Sequence, residues 1–220
     1  MHKLVLIITA LTVMMIATAP FLALAYQETN VNVKKGDWIK YQVRETGNPD
    51  PDNNVTWSRI DIRDVEGEII KIDVQTAFAN GTIYPENGIV LNIATGAIGD
   101  GFFVPTNLQP GDNYSSQYEG NITITGIQQL EAGGAKRTVL SGVADQTTYY
   151  WDKQTGIMVA ATSILPDFTM YTTTSETSLW QLQILGLDSA VFYTLVVVIV
   201  IILVAVAAIS IWRLKFHRKK

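Results

Sequence analysis

The chain contains no cysteine, and its two histidines, His2 and His217, lie at its extreme ends. The lack of cysteine excludes disulfide bonds, thiol catalysis and cysteine metal sites. The lack of histidine between the ends excludes a Ser-His-Asp triad and a histidine metal site there. We therefore predict no enzyme activity, no metal site and no cofactor. A hydrolase that uses acidic residues is the least favoured alternative, because no acidic pair has a distinctive spacing.

Basic residues are scarce in the middle of the chain. All 20 acidic residues lie between Glu28 and Asp188, but 10 of the 16 lysines and arginines lie between Lys34 and Lys153. The central region therefore carries a net charge near −10, while the whole chain carries −4. Nucleic-acid binding is excluded as a function, because phosphate recognition needs clustered lysine and arginine.

The N-terminus has the pattern of a secretory signal. Lys3 precedes an apolar run from Leu4 to Ala19, and Ala23-Leu24-Ala25 has the small-x-small pattern of a signal-peptide cleavage site. This order is typical of a cleaved signal, and Pro20 interrupts the run before this site. We predict a signal peptide over residues 1–25, with an uncleaved signal anchor as the alternative.

A second apolar run near the C-terminus predicts a membrane span. Ala190 to Trp212 contains no charged residue, and a helix of this length reaches roughly 34 Å, enough to cross a ~30 Å hydrocarbon core. Five lysines and arginines follow in the tail, which indicates the cytosolic side. We predict an extracellular β domain over 26–185, a linker and transmembrane helix over 186–212, and a cytosolic tail over 213–220. The protein is then a single-pass type I protein of the cell membrane.

The region between the two apolar runs alternates between apolar and polar residues, as half-buried strands do. We predict an all-β domain, built as an antiparallel curled sheet, a half-barrel or a sandwich, with Trp38 in its core. Residues 96–110 break the alternation and predict either a loop over one sheet face or a short helix. The predicted strands are 38–44, 57–63, 69–78, 82–84, 89–93, 121–130, 136–143, 147–151, 157–163 and 168–174.

Two kinds of candidate site stand out in this region. Tyr149 and Trp151 lie on one face of a predicted strand, and aromatic faces bind apolar or sugar surfaces. The alternative is that both rings belong to the core and to cross-strand packing. Four Asn-x-Ser/Thr sequons predict N-glycosylation, at Asn54, Asn80, Asn113 and Asn121.

Two motifs carry a resemblance to known proteins. The segment Lys35-Gly36-Asp37-Trp38-Ile39-Lys40-Tyr41 and the later segment from Tyr150 to Met158 resemble uncharacterised archaeal single-pass cell-surface proteins. The run of hairpins is also similar, more weakly, to the curled sheets of LolA-like lipoprotein carriers. The first likeness implies a β ectodomain with a C-terminal span, and the second implies an apolar ligand.

The expected function is a membrane-anchored, extracellular, non-catalytic binding or envelope-structural protein. Its expected partners are membrane lipid and a glycan, lipid or surface-protein ligand. The alternative is a carrier whose curled sheet shields a lipid or another apolar ligand. A cavity distinguishes the two, because a carrier needs an apolar concavity of roughly 300 Å³ or more, whereas a structural module has a filled core.

Overall fold

The computed structural model describes residues 31–49, 54–99 and 101–217, with side chains as far as residue 206. The predicted signal peptide lies outside the described residues. The elements are β1 Trp38–Gly47, β2 Val55–Glu66, β3 Ile69–Phe78, β4 Ile83–Asn92, β5 Asn113–Ser116, β6 Gly120–Ala132, β7 Ala135–Ala144, β8 Thr147–Asp152, β9 Met158–Ile164, β10 Phe168–Thr177, β11 Gln183–Ile184, β12 Leu187–Asp188 and the helix α1 Ser189–His217.

Ten of the strands form one antiparallel sheet in the order β4-β3-β2-β1-β10-β9-β8-β7-β6-β5. Two meanders, β1 to β4 and β5 to β10, meet where β1 pairs with β10. The prediction of an all-β domain with a C-terminal apolar helix is confirmed. Two predicted strands, 82–84 and 89–93, are one strand, β4, and the short strands β5, β11 and β12 were not predicted.

Side-chain alternation fixes which face of β1 is buried. Ile39 and Tyr41 are buried, whereas Trp38 is half-buried on the opposite face. The Arg59 guanidinium lies 4.2 Å from the centre of the Trp38 ring, an arrangement that favours a cation–π contact. The prediction that Trp38 belongs to the core is therefore wrong, because the period of two directs its neighbours inward instead.

Register shifts interrupt five of the strand pairs. An extra residue in one strand bends that strand and increases its local twist. The resulting curl brings β5 and the β5–β6 turn against the residues that follow the other edge strand, β4, and we name this contact the seam. There Tyr114 in β5 donates a hydrogen bond to the carbonyl oxygen of Ile93, 2.5 Å away, and the Gln117 N–H donates to Gly96 O at 2.8 Å.

The turns divide between two ends of the sheet. The β1–β2, β3–β4, β5–β6, β7–β8 and β9–β10 turns lie at one end, which we name the open end. The β2–β3, β6–β7 and β8–β9 turns lie at the other, which we name the anchor end. Strands of ten residues separate the two ends by about 33 Å.

The described residues 93–99 and 101–112 form a loop, one of the two predicted alternatives, and they cover the inner face of the sheet toward the anchor end. Ile98, Phe103 and Val104 are fully buried in it. The Met158 N–H donates to Phe102 O at 2.8 Å, and the Val104 N–H donates to Gly156 O at 2.9 Å. The loop thus fills one half of the inner face and leaves the half near the open end uncovered.

Two Gly-Asp turns lead into the first strand of each meander with the same hydrogen bonds. The Asp37 carboxylate accepts from the Lys34 N–H, and the Asp112 carboxylate accepts from the Gln109 N–H. Gly36 donates to Ile62 O in one turn, and Gly111 donates to Ile124 O in the other. The two segments therefore share the same turn chemistry.

The chain after β10 crosses the anchor end before α1 begins. The Trp180 indole donates to Ala132 O at 3.0 Å, and the Gln183 N–H donates to Gly134 O at 3.0 Å. These bonds fix the β11–β12 hairpin to the β6–β7 turn. In α1, Ser189–Val206 is long and apolar enough to cross a membrane, and none of it is buried against the rest of the chain.

Candidate functional site

The uncovered half of the inner face forms a cavity of about 630 Å³. This volume lies within the range of small-molecule sites. Both meanders contribute to its wall, together with the covering loop and the β5–β6 turn. Apolar side chains supply most of the wall, and the main ones are Tyr41, Val43, Val55, Val74, Ile89, Leu91, Phe102, Tyr149, Met158, Ala161, Leu165 and Met170.

The tyrosine hydroxyl at the floor of the cavity is already paired. The Tyr41 hydroxyl donates to Met158 O at 2.8 Å, and burial raises the pKa of this phenol. Tyr41, Leu91 and Ala161 are buried, so they form the deepest part of the wall. A ligand there contacts aromatic and aliphatic carbon, while the hydroxyl stays bonded to the backbone.

The rim of the cavity lies near the open end, where its wall residues become exposed. Tyr118 and Leu165 lie beside the β5–β6 and β9–β10 turns and are 70% and 37% exposed. Glu86 is exposed, and Glu119 is half-buried. Glu119 Oε2 accepts a hydrogen bond from the Tyr149 hydroxyl at 2.7 Å, which fixes this carboxyl group against the wall.

A bulge in β4 turns Glu86 toward the cavity. Ile72 pairs with Ile89, but Val74 pairs with Glu86, so one extra residue separates the two partners in β4. The extra residue reverses the alternation, and Glu86 and Ile89 both line the cavity.

Asp73 holds this bulge from the neighbouring strand. Its Oδ1 accepts from the Gly88 N–H at 2.9 Å, and its Oδ2 accepts from Arg63 Nε at 2.5 Å. The Gly88 N–H and the Arg63 guanidinium lower the pKa of the Asp73 carboxyl group.

The two aromatic residues predicted as ligand contacts have different positions. Tyr149 lines the cavity, and its ring stacks on Trp151 with centroids 5.2 Å apart. Trp151 is fully buried beneath the loop, and its indole donates to Gly101 O at 2.6 Å. Ligand contact by Tyr149 stays a prediction. The position of Trp151 instead matches the alternative of a core residue that supports Tyr149.

The four sequon asparagines lie outside the cavity wall. Asn80, Asn113 and Asn121 are exposed, and Asn54 is half-buried just before β2. Asn113 and Asn121 are neighbours on β5 and β6, with Asn121 Nδ2 3.5 Å from Asn113 Oδ1. Glycosylation at these positions stays a prediction.

The comparisons with known proteins support no family. No protein-family model and no curated protein matches the chain. One similar solved structure is Mycobacterium tuberculosis lipoprotein LppX, at 14% identity and a TM-score of 0.31, over 64% of this chain and 86% of that one. A likeness this distant carries no functional argument. The resemblance to archaeal surface proteins stays a prediction.

The sequence did not indicate Glu86, Glu119 or Phe102 as wall residues. Glu119 lies in a turn, and Phe102 lies in a loop without periodicity. Glu86 lies in a strand, but regular alternation from Ile89 places it on the outer face. A Pro-Glu-Asn-Gly segment inside a strand pattern is a signal for a bulge, since glycine within a strand often marks one.

Proposed function

We propose that the protein is a membrane-anchored, non-catalytic binding protein for an apolar ligand, held in the concave face of its sheet. The observation that supports this function is the cavity of about 630 Å³ with a mainly apolar wall. A structural module gains stability by filling such a space with side chains. The cavity therefore favours the carrier over the envelope-structural alternative.

The pairing of the wall's polar groups agrees with an apolar ligand. The hydroxyls of Tyr41 and Tyr149 are bonded to Met158 O and to Glu119, so neither needs a ligand as its partner. Apolar area removed from water stabilises a complex by roughly 25 cal/mol per Å² before the losses on association. Chain length and shape would then determine affinity more than polar contacts do.

We also propose that α1 anchors the protein as a type I membrane protein. Arg213, Lys215, Arg218, Lys219 and Lys220 follow the apolar stretch, and basic residues stay on the cytosolic side. The sheet is then extracellular, with its anchor end next to the lipid. The cavity would open about 30 Å from the bilayer, given the length of the strands.

A cavity-filling substitution tests the binding function. Ala161 lines the cavity and is 7% exposed, so Ala161→Phe should occupy the space of the ligand. Thr162→Phe is the matched control, because the next residue of a strand faces the opposite side. Binding of a fluorescent alkyl probe would be measured on the full chain in a non-ionic amphipathic polymer.

We expect Ala161→Phe to weaken probe binding at least about tenfold, which corresponds to a loss of ~1.4 kcal/mol in binding free energy. The Thr162→Phe variant should bind as the wild type does. Far-ultraviolet circular dichroism would establish that both variants keep the sheet. Equal binding by a folded Ala161→Phe variant would contradict the proposed site.

A further inference from the structure

The charged residues of the cavity wall are all acidic. Among its 21 lining residues, Glu86 and Glu119 carry carboxyl groups, and none is lysine, arginine or histidine. The basic residues of the described sheet lie elsewhere. Five of them are in ion pairs: Arg59 with Asp61, Arg63 with Asp73, Lys71 with Asp64 and Glu66, Arg137 with Asp152, and Lys40 with Glu176. The other two in the strands, Arg44 and Lys136, are exposed and are not among the lining residues.

The two carboxyl groups lie at the rim and not on the floor. Glu86 is exposed, Glu119 is half-buried, and the floor around Tyr41 and Ala161 is apolar and buried. A ligand with one polar end and one apolar end fits this division, with its chain on the floor and its head group at the rim. Hydroxyl groups of Ser58, Thr147 and Ser163 also line the wall, and they can accept as well as donate.

The chemistry of the rim selects between head groups. A carboxylate accepts hydrogen bonds and repels anions, and close like charges are disfavoured strongly when partly shielded from water. An alcohol or an amine can donate to Glu86 or to the free lone pairs of Glu119. A carboxylate or phosphate head would find two carboxyl groups and no basic side chain among the wall residues.

Resting on the proposed function, we infer that the ligand is an amphiphile with a hydrogen-bond-donating head group, an alcohol or an amine, and that anionic amphiphiles are excluded. The bulge at Gly88 turns the Glu86 carboxyl group toward the cavity. The hydrogen bond from Tyr149 holds the Glu119 carboxyl group against the wall. Glu86 and Glu119 are the specificity-determining residues of the site.

Three probes with the same chain test this inference. Dodecanol, dodecylamine and dodecanoate would compete with the fluorescent alkyl probe for the full chain in a non-ionic polymer, at pH 7.5. We expect dodecanol and dodecylamine to displace the probe at concentrations at least about tenfold lower than dodecanoate requires, since one unfavourable charge contact is of this order.

The three probes can also partition differently into the polymer. Matched variants show how much of the preference between them depends on the two carboxyl groups. Glu86→Gln combined with Glu119→Gln keeps an acceptor for Tyr149 and removes both charges. This double variant should reduce the preference for the amine over the carboxylate to less than about threefold. Glu131→Gln, on an exposed position of β6 outside the wall, should leave the preference unchanged.

The outcomes distinguish the inference from the function on which it rests. If the probe binds and dodecanoate displaces it as well as dodecylamine does, the head-group inference is wrong and the apolar site stands. The same conclusion follows if the double variant keeps the full preference. If the alkyl probe does not bind the wild type, the proposed function and this inference both fail.

Discussion

At the scale of single residues, the two tryptophans of the predicted motifs have opposite environments. Trp151 is fully buried, stacks on Tyr149 and donates to Gly101 O. Trp38 is half-buried on the outer face and contacts Arg59. Both lie in strands with aromatic and apolar neighbours, and the direction of each ring depends on the register of its strand.

These positions predict unequal effects of truncation. Trp151→Ala should lower the free energy of unfolding by about 3–5 kcal/mol, because it leaves a large gap in the core. Trp38→Ala should lower it by about 1 kcal/mol, the range of a partly exposed cation–π contact. Denaturant unfolding of the full chain in detergent, followed by circular dichroism, would measure both. A larger effect for Trp38 than for Trp151 would contradict the assigned register.

Asp73 predicts a dependence of stability on pH. Its pKa is lowered in the folded protein, so its contribution to stability is fully present above the usual carboxyl pKa of about 3.9 and is lost as the pH falls below it. Asp73→Asn should therefore unfold at a lower denaturant concentration than the wild type at pH 7. The gap between the two unfolding midpoints should narrow below about pH 4. Unfolding midpoints between pH 2.5 and 7 would measure this gap.

The exposed residue Asp145 provides the control for this pH series. Asp145→Asn changes the same group in the β7–β8 turn and should show no comparable gap. A difference between wild type and Asp73→Asn that stays constant down to pH 2.5 would show that the lowered pKa of Asp73 does not stabilise the fold.

Among the elements, the seam joins β5 and the β5–β6 turn to the residues that follow β4. Gly96 lies in this seam with a positive φ of 74°, and a Cβ atom there would lie 1.9 Å from Ser115 O. No L-residue with a side chain fits without moving the backbone. The close contact between Gly96 and β5 therefore needs glycine at this position.

Substitution of Gly96 therefore tests the seam. Gly96→Ala should lower the free energy of unfolding by more than about 2 kcal/mol, because it adds a backbone clash to the penalty for a positive φ. Gly81→Ala is the control, since Gly81 has a φ of 86° and nothing within 4 Å of its Cβ position. Gly81→Ala should lower the free energy of unfolding by only about 1 kcal/mol. Equal losses, measured by denaturant unfolding, would contradict the close contact.

The sequence predicted regular elements better than irregular ones. Alternation of apolar and polar residues located the long strands, because a period of two reflects burial of one face. The same period could not locate the bulge at Gly88, which reverses the face of Glu86. It also could not decide between the two alternatives for residues 96–110, a loop over one sheet face or a short helix, since the contacts that hold the loop join residues far apart in sequence.

In the whole molecule, the segment before α1 fixes which end of the sheet lies next to the apolar helix. Gln183 bonds to Gly134 O and, through its side chain, to the Lys136 N–H. Leu185, at the tip of the β11–β12 hairpin, is 88% exposed. Entry of an exposed leucine beside an apolar helix into the lipid interface lowers the free energy, because its apolar area leaves water.

The cysteine-free chain allows this orientation to be measured. Leu185→Cys and Ile164→Cys would each carry one nitroxide label in the full chain in lipid nanodiscs. Ile164 is 63% exposed beside the β9–β10 turn at the open end. We expect lipid-soluble oxygen to relax the label at Leu185 and a water-soluble nickel complex to relax the label at Ile164. The reverse pattern would place the cavity mouth against the bilayer.

Photo-crosslinking would show directly whether the concave face of the sheet binds an apolar ligand. A diazirine-bearing dodecanol would be activated with the full chain in nanodiscs, and the modified peptides identified by mass spectrometry. We expect adducts on the inner residues of β1, β9 and β10, which should be lost in Ala161→Phe, besides adducts on α1 in the lipid. Adducts confined to α1 would contradict binding at the concave face.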